Sequence, residues 1–117
     1  MKKLLLSVLV LAAMATPAHA AGGMTCSTAG PRPVTIALVF GHVAGSPLSN
    51  ANLRDSGREV AVRPAQWWLD QREMRLILTD PQAIRQEAIV RVTRNGRVYD
   101  GNVWRGGQRR WVRCREG

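Results

Sequence analysis

Several segments of the chain alternate apolar and polar residues with a period of two, as strands with one buried face do. In Val34-Thr35-Ile36-Ala37-Leu38-Val39-Phe40, the residues Val34, Ile36, Leu38 and Phe40 share one side. The other side is also largely apolar, which predicts a strand inside a sheet rather than at its edge. Gly41 to Gly57 carries loop chemistry, with room for one short strand around Ala51 to Arg54. Glu59 to Arg63 alternates again with Val60 and Val62 inward, until Pro64 demotes the junction to an edge or a bend.

Gln66-Trp67-Trp68-Leu69 can continue as a strand. Neighbours in a strand face opposite ways, so one of the two indoles belongs to the core and the other lies outside. Asp70-Gln71-Arg72 reads as a polar turn into Glu73 to Thr79, where Met74, Leu76 and Leu78 share a face. Asp80-Pro81 has the form of a helix start, with Asp80 as N-cap and Pro81 at the first helical position. One or two helical turns at most fit there, because strand-type alternation resumes by Ala88.

The last thirty residues carry the clearest signals. Asn95-Gly96 favours a two-residue type I′ hairpin. Taken as the loop, it pairs Thr93 with Val98, Val92 with Tyr99, Arg91 with Asp100, Val90 with Gly101 and Ala88 with Val103. Gly106-Gly107 closes a second hairpin, pairing Val103 with Arg110, Gly101 with Val112, Asp100 with Arg113 and Tyr99 with Cys114. One face then carries Ala88, Val90, Val92, Tyr99, Gly101, Val103, Val112 and Cys114. A one-residue slip would turn that set towards water.

The first residues belong to a different pattern. Lys2-Lys3, an apolar stretch from Leu4 to Ala15 and the small-x-small site Ala18-His19-Ala20 are the three parts of a secretory signal peptide. The stretch falls short of the roughly 20 apolar residues that a membrane span needs. Residues 1 to 20 are therefore expected to be cleaved, and the mature protein to be periplasmic or secreted with no transmembrane segment. Residues 21 to 33, rich in Gly, Thr, Ser and Pro, read as an irregular leader, and residues 34 to 117 as one β-domain.

Two cysteines in an exported chain are expected to be joined. A Cys26 to Cys114 bond would clamp the start of the mature chain to its last strand. The expected fold is all-β: a small antiparallel barrel or sandwich of six to seven short strands, closed by this disulfide, with one short helical turn after Pro81.

Charge narrows the partners. Of the 17 basic residues, Lys2 and Lys3 lie in the signal peptide, which leaves 15 arginines against 8 acidic residues and a net charge of +7 for the mature chain. Such an excess attracts anionic partners. In an exported protein these are headgroups, acidic glycans or acidic proteins before nucleic acid.

The hairpin register also gathers candidate chemistry on the face opposite the core set. Arg91, Trp104, Arg109, Trp111 and Arg113 lie there with Asn102 and Asp100. Asp100 would sit between Arg91 and Arg113 as a charge ladder, and Trp104 opposite Arg109 for a cation–π contact. These pairs can serve the sheet alone. As a binding surface they are suited to anions and sugars, because guanidinium forks match carboxylate, phosphate or sulfate and indoles offer flat apolar faces.

No motif points to an enzyme. His42, Asp55 and Ser56 supply the residue types of a nucleophilic triad but lack a Gly-x-Ser-x-Gly elbow, and no Gly-rich phosphate loop opens a helix. Two cysteines and one mature histidine without short ligand spacing predict no metal, and no cofactor is expected. The leading expectation is a non-enzymatic binding protein that engages an anionic envelope component or glycan through the Trp/Arg face. The alternative is a protein–protein module, such as an inhibitor of a secreted hydrolase or an envelope assembly partner, recognising another exported protein. A homodimer across the same face is a third reading.

Overall fold

The computed structural model describes residues 21–41 and 46–117, so the expected signal peptide and His42 lie outside the described residues. Among the described residues nine strands form a single antiparallel sheet: β1 (Ala21–Thr28), β2 (Val34–Gly41), β3 (Leu48–Asp55), β4 (Arg58–Val60), β5 (Arg63–Leu69), β6 (Glu73–Thr79), β7 (Gln86–Asn95), β8 (Val98–Arg105) and β9 (Gln108–Glu116). Their order is β4-β3-β2-β1-β9-β8-β7-β6-β5. The sheet curls into a half-barrel, all-β as expected, with nine strands rather than six to seven.

Every strand pairs with its neighbours in sequence except across β4 and β5, and the two ends of the chain meet in mid-sheet as β1 and β9. The antiparallel order makes β4 and β5 run the same way, so they act as two halves of one kinked strand. The first half pairs with β3 and the second with β6. The kink falls at Ala61 and Val62, just ahead of Pro64, which has no N–H to give a ladder. A register shift between Pro64 and Gln66 bends β5 further. Trp67 lies at this seam, 5.4 Å from the Phe40 ring, and its indole N–H donates to the Ser46 carbonyl at 3.1 Å.

The inward face carries the core. Met24, Ile36, Leu38, Leu53, Met74, Leu76, Leu78, Val90, Val103 and Val112 are fully or almost fully buried. Cys26 and Cys114 stand directly opposite each other on β1 and β9 and are joined at the centre of this layer. A buried disulfide of this kind fits an oxidising compartment.

Charged residues close one end. Arg105 donates to Asp55 at 2.7 Å and to Glu87 at 3.0 Å, tying β8 to the far side of the curl. Arg110 donates to the carbonyls of Ala29 and Arg32 and so holds the β1–β2 loop over the same end.

Three sequence expectations are corrected. Residues 21–28 are not an irregular leader but strand β1, paired with β2 from Ala21 to Ser27 and with β9 from Met24 to Thr28. At Gly22 a side chain would meet the Phe40 ring of β2, 2.8 Å from a Cβ built there. Gly41 to Gly57 holds an eight-residue strand, β3, where a short one was expected. No helical turn follows Pro81. Asp80 does accept hydrogen bonds through Oδ1, but from the amides of Ile84 and Arg85 at 2.8 and 2.7 Å, and Ala83 takes a positive φ of 59°. The segment is thus a tight loop that returns the chain to β7.

Among the described residues no helix is long and apolar enough to cross a membrane. The apolar side faces inward, and Arg75, Arg91 and Arg109 are exposed on the outside. This is the reverse of the lipid-facing apolar band of a transmembrane β-barrel.

Candidate functional site

The outer face of β5 to β9 collects the aromatic and basic residues, and hairpin geometry decides which of them meet. The Gly106-Gly107 loop forms as expected, with both glycines at positive φ (60° and 77°), as a type I′ turn requires. All four β8–β9 pairs read from the sequence are present, with Asp100 opposite Arg113 and Trp104 opposite Arg109.

The preceding hairpin is shifted by two residues. Asn95 pairs with Val98, so Gly96-Arg97 is the loop. Gly96 takes φ 67° and Arg97 is not among the positive-φ residues, which is the type II′ pattern with glycine first. Asn95 is held in the strand, where its side chain donates to Asp100 Oδ2 at 3.0 Å. A shift of two keeps every side chain on its face. The apolar set therefore stays inward as expected, but the outer neighbours change.

Arg91 now stands opposite Asn102, and Asp100 opposite Thr93. The expected ladder reduces to one pair. Arg113 grips Asp100 with Nε to Oδ1 at 2.7 Å and Nη2 to Oδ2 at 3.2 Å. The Arg113 fork, and then the Asn95 amide, hold the Asp100 carboxyl below its usual range, and the same bond raises Arg113. The expected contact of Arg109 with Trp104 is replaced by Arg113 over Trp111, 5.1 Å from the ring centroid.

The five candidate residues thus share one outer face in different states. Trp111 is 52% exposed. Trp104 is half-buried beside Ile89 on β7, and Arg113 is half-buried and bound to Asp100. Arg91 and Arg109 are exposed and have no carboxylate within ion-pair distance among the described residues.

Two further residues join the face. Trp68 is the outward indole of the Trp67-Trp68 pair, 45% exposed. Its N–H donates to Asp70 Oδ2 at 3.0 Å, and the Arg75 guanidinium lies 5.9 Å from its ring centroid. Asp70 is itself fixed by the amides of Arg72 and Glu73, which lower its carboxyl's affinity for protons. Arg75 makes only a long contact with Glu73, 3.8 Å between two half-exposed groups. The signal for both residues lay in the Asp70-Gln71-Arg72 turn. Counting outward from a loop at Gln71-Arg72 places Trp68 opposite Arg75, as found.

Asp55 and Ser56, the described members of the candidate triad, serve a turn. Asp55 is engaged by Arg105, whose hydrogen bond is the main cause of its lowered pKa, and Ser56 donates to Asp55 at 3.3 Å with φ 55°. No cluster of three or more metal-ligating side chains occurs among the described residues.

Comparisons with protein-family models, with curated proteins and with solved structures find no match to this chain.

Proposed function

We propose that this is an exported, non-enzymatic binding protein whose Trp/Arg face engages an anionic component of the cell envelope, with Arg91, Trp104, Arg109, Trp111 and Arg113 in contact. One observation carries the reading: exposed indole and guanidinium groups without carboxylate partners, Trp111, Arg91 and Arg109, share a single outer face. Arg113 has a supporting part there, because its charge is met by Asp100 while its guanidinium covers Trp111. The excess of arginine elsewhere on the mature chain adds long-range attraction.

The test is binding of the mature, oxidised protein to a sulfated or carboxylated polyanion and to anionic vesicles, at low and high salt. Binding should weaken steeply with salt, and Arg109→Ala or Trp111→Ala should reduce it while thermal unfolding stays unchanged. Undiminished binding by both variants would overturn the reading. A partner captured in stoichiometric amount with mild salt dependence would instead favour a protein–protein module. Face-to-face homodimerisation is disfavoured by charge, since it would bring the Arg75, Arg91 and Arg109 of two copies together.

A further inference from the structure

The strand registers place five outer residues in one line. Trp68 on β5 is opposite Arg75 on β6, Arg75 opposite Arg91 on β7, Arg91 opposite Asn102 on β8, and Asn102 opposite Trp111 on β9. The row crosses the strands at right angles with four interstrand steps, or about 19 Å at the backbone. An exposed indole stands at each end and two cations and a side-chain amide lie between.

The flanking rows differ from it and from each other. On one side run Ile77, Ile89 and Trp104, all half-buried and directly opposed in turn, with the exposed Arg109 of β9 opposite Trp104 at the end. On the other run Glu73, Thr93, Asp100 and Arg113, where the carboxylates lie. Anionic groups of a ligand are thus drawn to Arg75 and Arg91 in the central row rather than to the row of Glu73 and the Arg113-bound Asp100, and apolar ring faces can rest towards the Ile77–Trp104 side. Each terminal indole is held in place. Trp68 is fixed by its hydrogen bond to Asp70 with Arg75 near its ring, and Trp111 by the guanidinium of Arg113.

From this juxtaposition we propose that the row Trp68-Arg75-Arg91-Asn102-Trp111 is an extended site for a linear polyanionic polysaccharide lying across the strands. Sugar rings stack on Trp68 and Trp111, carboxylates or sulfates meet Arg75 and Arg91, and Asn102 hydrogen-bonds a hydroxyl. The proposal rests on the reading that this face binds anions, and it adds the ligand class, its direction and two residues, Trp68 and Arg75. The charge pattern favours a glycan chain over the other occupants. A second copy would oppose arginine to arginine, and a laterally mobile bilayer surface makes no use of a fixed line of indole, cation, cation, amide and indole. The pyranose repeat of a linear polysaccharide is of the same order as the strand spacing, so successive rings can address successive strands.

The experiment titrates the mature, oxidised protein with oligogalacturonates of two, four and six sugars, with anionic phospholipid vesicles as the comparison. Affinity should rise from two sugars to about the length of the row and then level off. Trp68→Leu and Trp111→Leu, which keep apolar bulk but remove the flat ring, should each weaken the six-sugar ligand about tenfold and leave the two-sugar ligand less affected. Both variants are to be checked for unchanged unfolding. If affinity tracks charge alone, or Trp68→Leu binds like the parent while Arg91→Ala is weakened, the row is overturned and anion binding stands. Binding to vesicles but to no oligosaccharide also overturns the glycan proposal. Binding to neither overturns the proposal together with the reading beneath it.

Discussion

Gly101→Ala is the sharpest structural perturbation available. Gly101 sits in mid-β8 on the core side, paired with Val92 and Val112. It has no positive φ, so its role is closeness of approach and not backbone freedom. A Cβ built there would lie 2.1 Å from the Arg91 carbonyl oxygen and 2.8 Å from the Val92 Cα. Ordinary contact begins at 3.4 Å, so β7 would have to retreat by more than 1 Å. Backbone is what obstructs, and no flexible side-chain tip can give way.

Overpacking of this kind costs about 1 to 3 kcal/mol, and loosening two backbone hydrogen bonds between β7 and β8 adds about 1 kcal/mol each. The variant should therefore lose roughly 3 to 5 kcal/mol. With a urea m-value of about 1.5 kcal/mol per M, its midpoint should fall by about 2 M or more. Asn102→Ala, one residue away on the outer face, is the control and should shift the midpoint by less than about 0.5 M. A Gly101→Ala midpoint within that same margin would refute the close approach of β7 and β8 described here.

Other perturbations test other parts of the fold. Replacing both Cys26 and Cys114 by alanine opens a loop with a sequence separation of 88 residues, and the chain-entropy relation puts the loss at about 4 to 5 kcal/mol, read by denaturant unfolding. Arg105→Ala leaves Asp55 and Glu87 without their shared cation and should cost about 2 kcal/mol by the same measurement, with Asn102→Ala again unaffected. Asp55, Asp70, Asp80 and Asp100 all have carboxyls held below the ordinary value of 3.8, by Arg105, by the amides of Arg72 and Glu73, by the amides of Arg85 and Ile84, and by Arg113 respectively. The unfolded chain then binds more protons in the acid range, so their stabilisation is fully present above the unfolded carboxylate pKa. It is lost as pH falls below about 4 and on through the lower folded values, which thermal unfolding from pH 6 to pH 2 should show. A melting temperature flat across that range would contradict it.

What the sequence made legible was mainly local. The period-two runs of β2, β6 and β7, the Gly106-Gly107 turn and the buried side of the last three strands can all be read without the structure, because one face of each strand is apolar. Strand β1 was hidden, since Ala21-Gly22-Gly23 and Ser27-Thr28 carry no alternation, and its pairing with β9 is long-range. The Asn95-Gly96 turn misled by two residues because glycine alone also satisfies a type II′ loop, and the side chain of Asn95 found Asp100 instead. Parity protected the core assignment from this error, but not the outer pairs, and so Arg91 lost Asp100 and gained Asn102. The candidate face was legible in part for the same reason. Trp104, Arg109, Trp111 and Arg113 follow from one tight turn, whereas Arg75 needs two further hairpins in register and Trp68 three before they reach it. The Asp80 turn read as a helix start because the same Asx chemistry serves both, and only a returning β7 distinguishes them.

The proposed site fixes where on this molecule an anionic ligand rests. Amide and indole chemical shifts of the isotopically labelled, oxidised chain of residues 21 to 117, followed during titration with oligogalacturonate at low salt, test this placement. Shifts should concentrate at Trp68, Arg75, Arg91, Asn102 and Trp111, with Trp104, Arg109 and Arg113 beside them, and fade when salt is raised. The opposite outer face, lined by Thr35, Ala37, Asn52, Arg54 and Glu59, should stay unchanged. Changes centred on that opposite face, or spread over all arginines without preference, would contradict that placement.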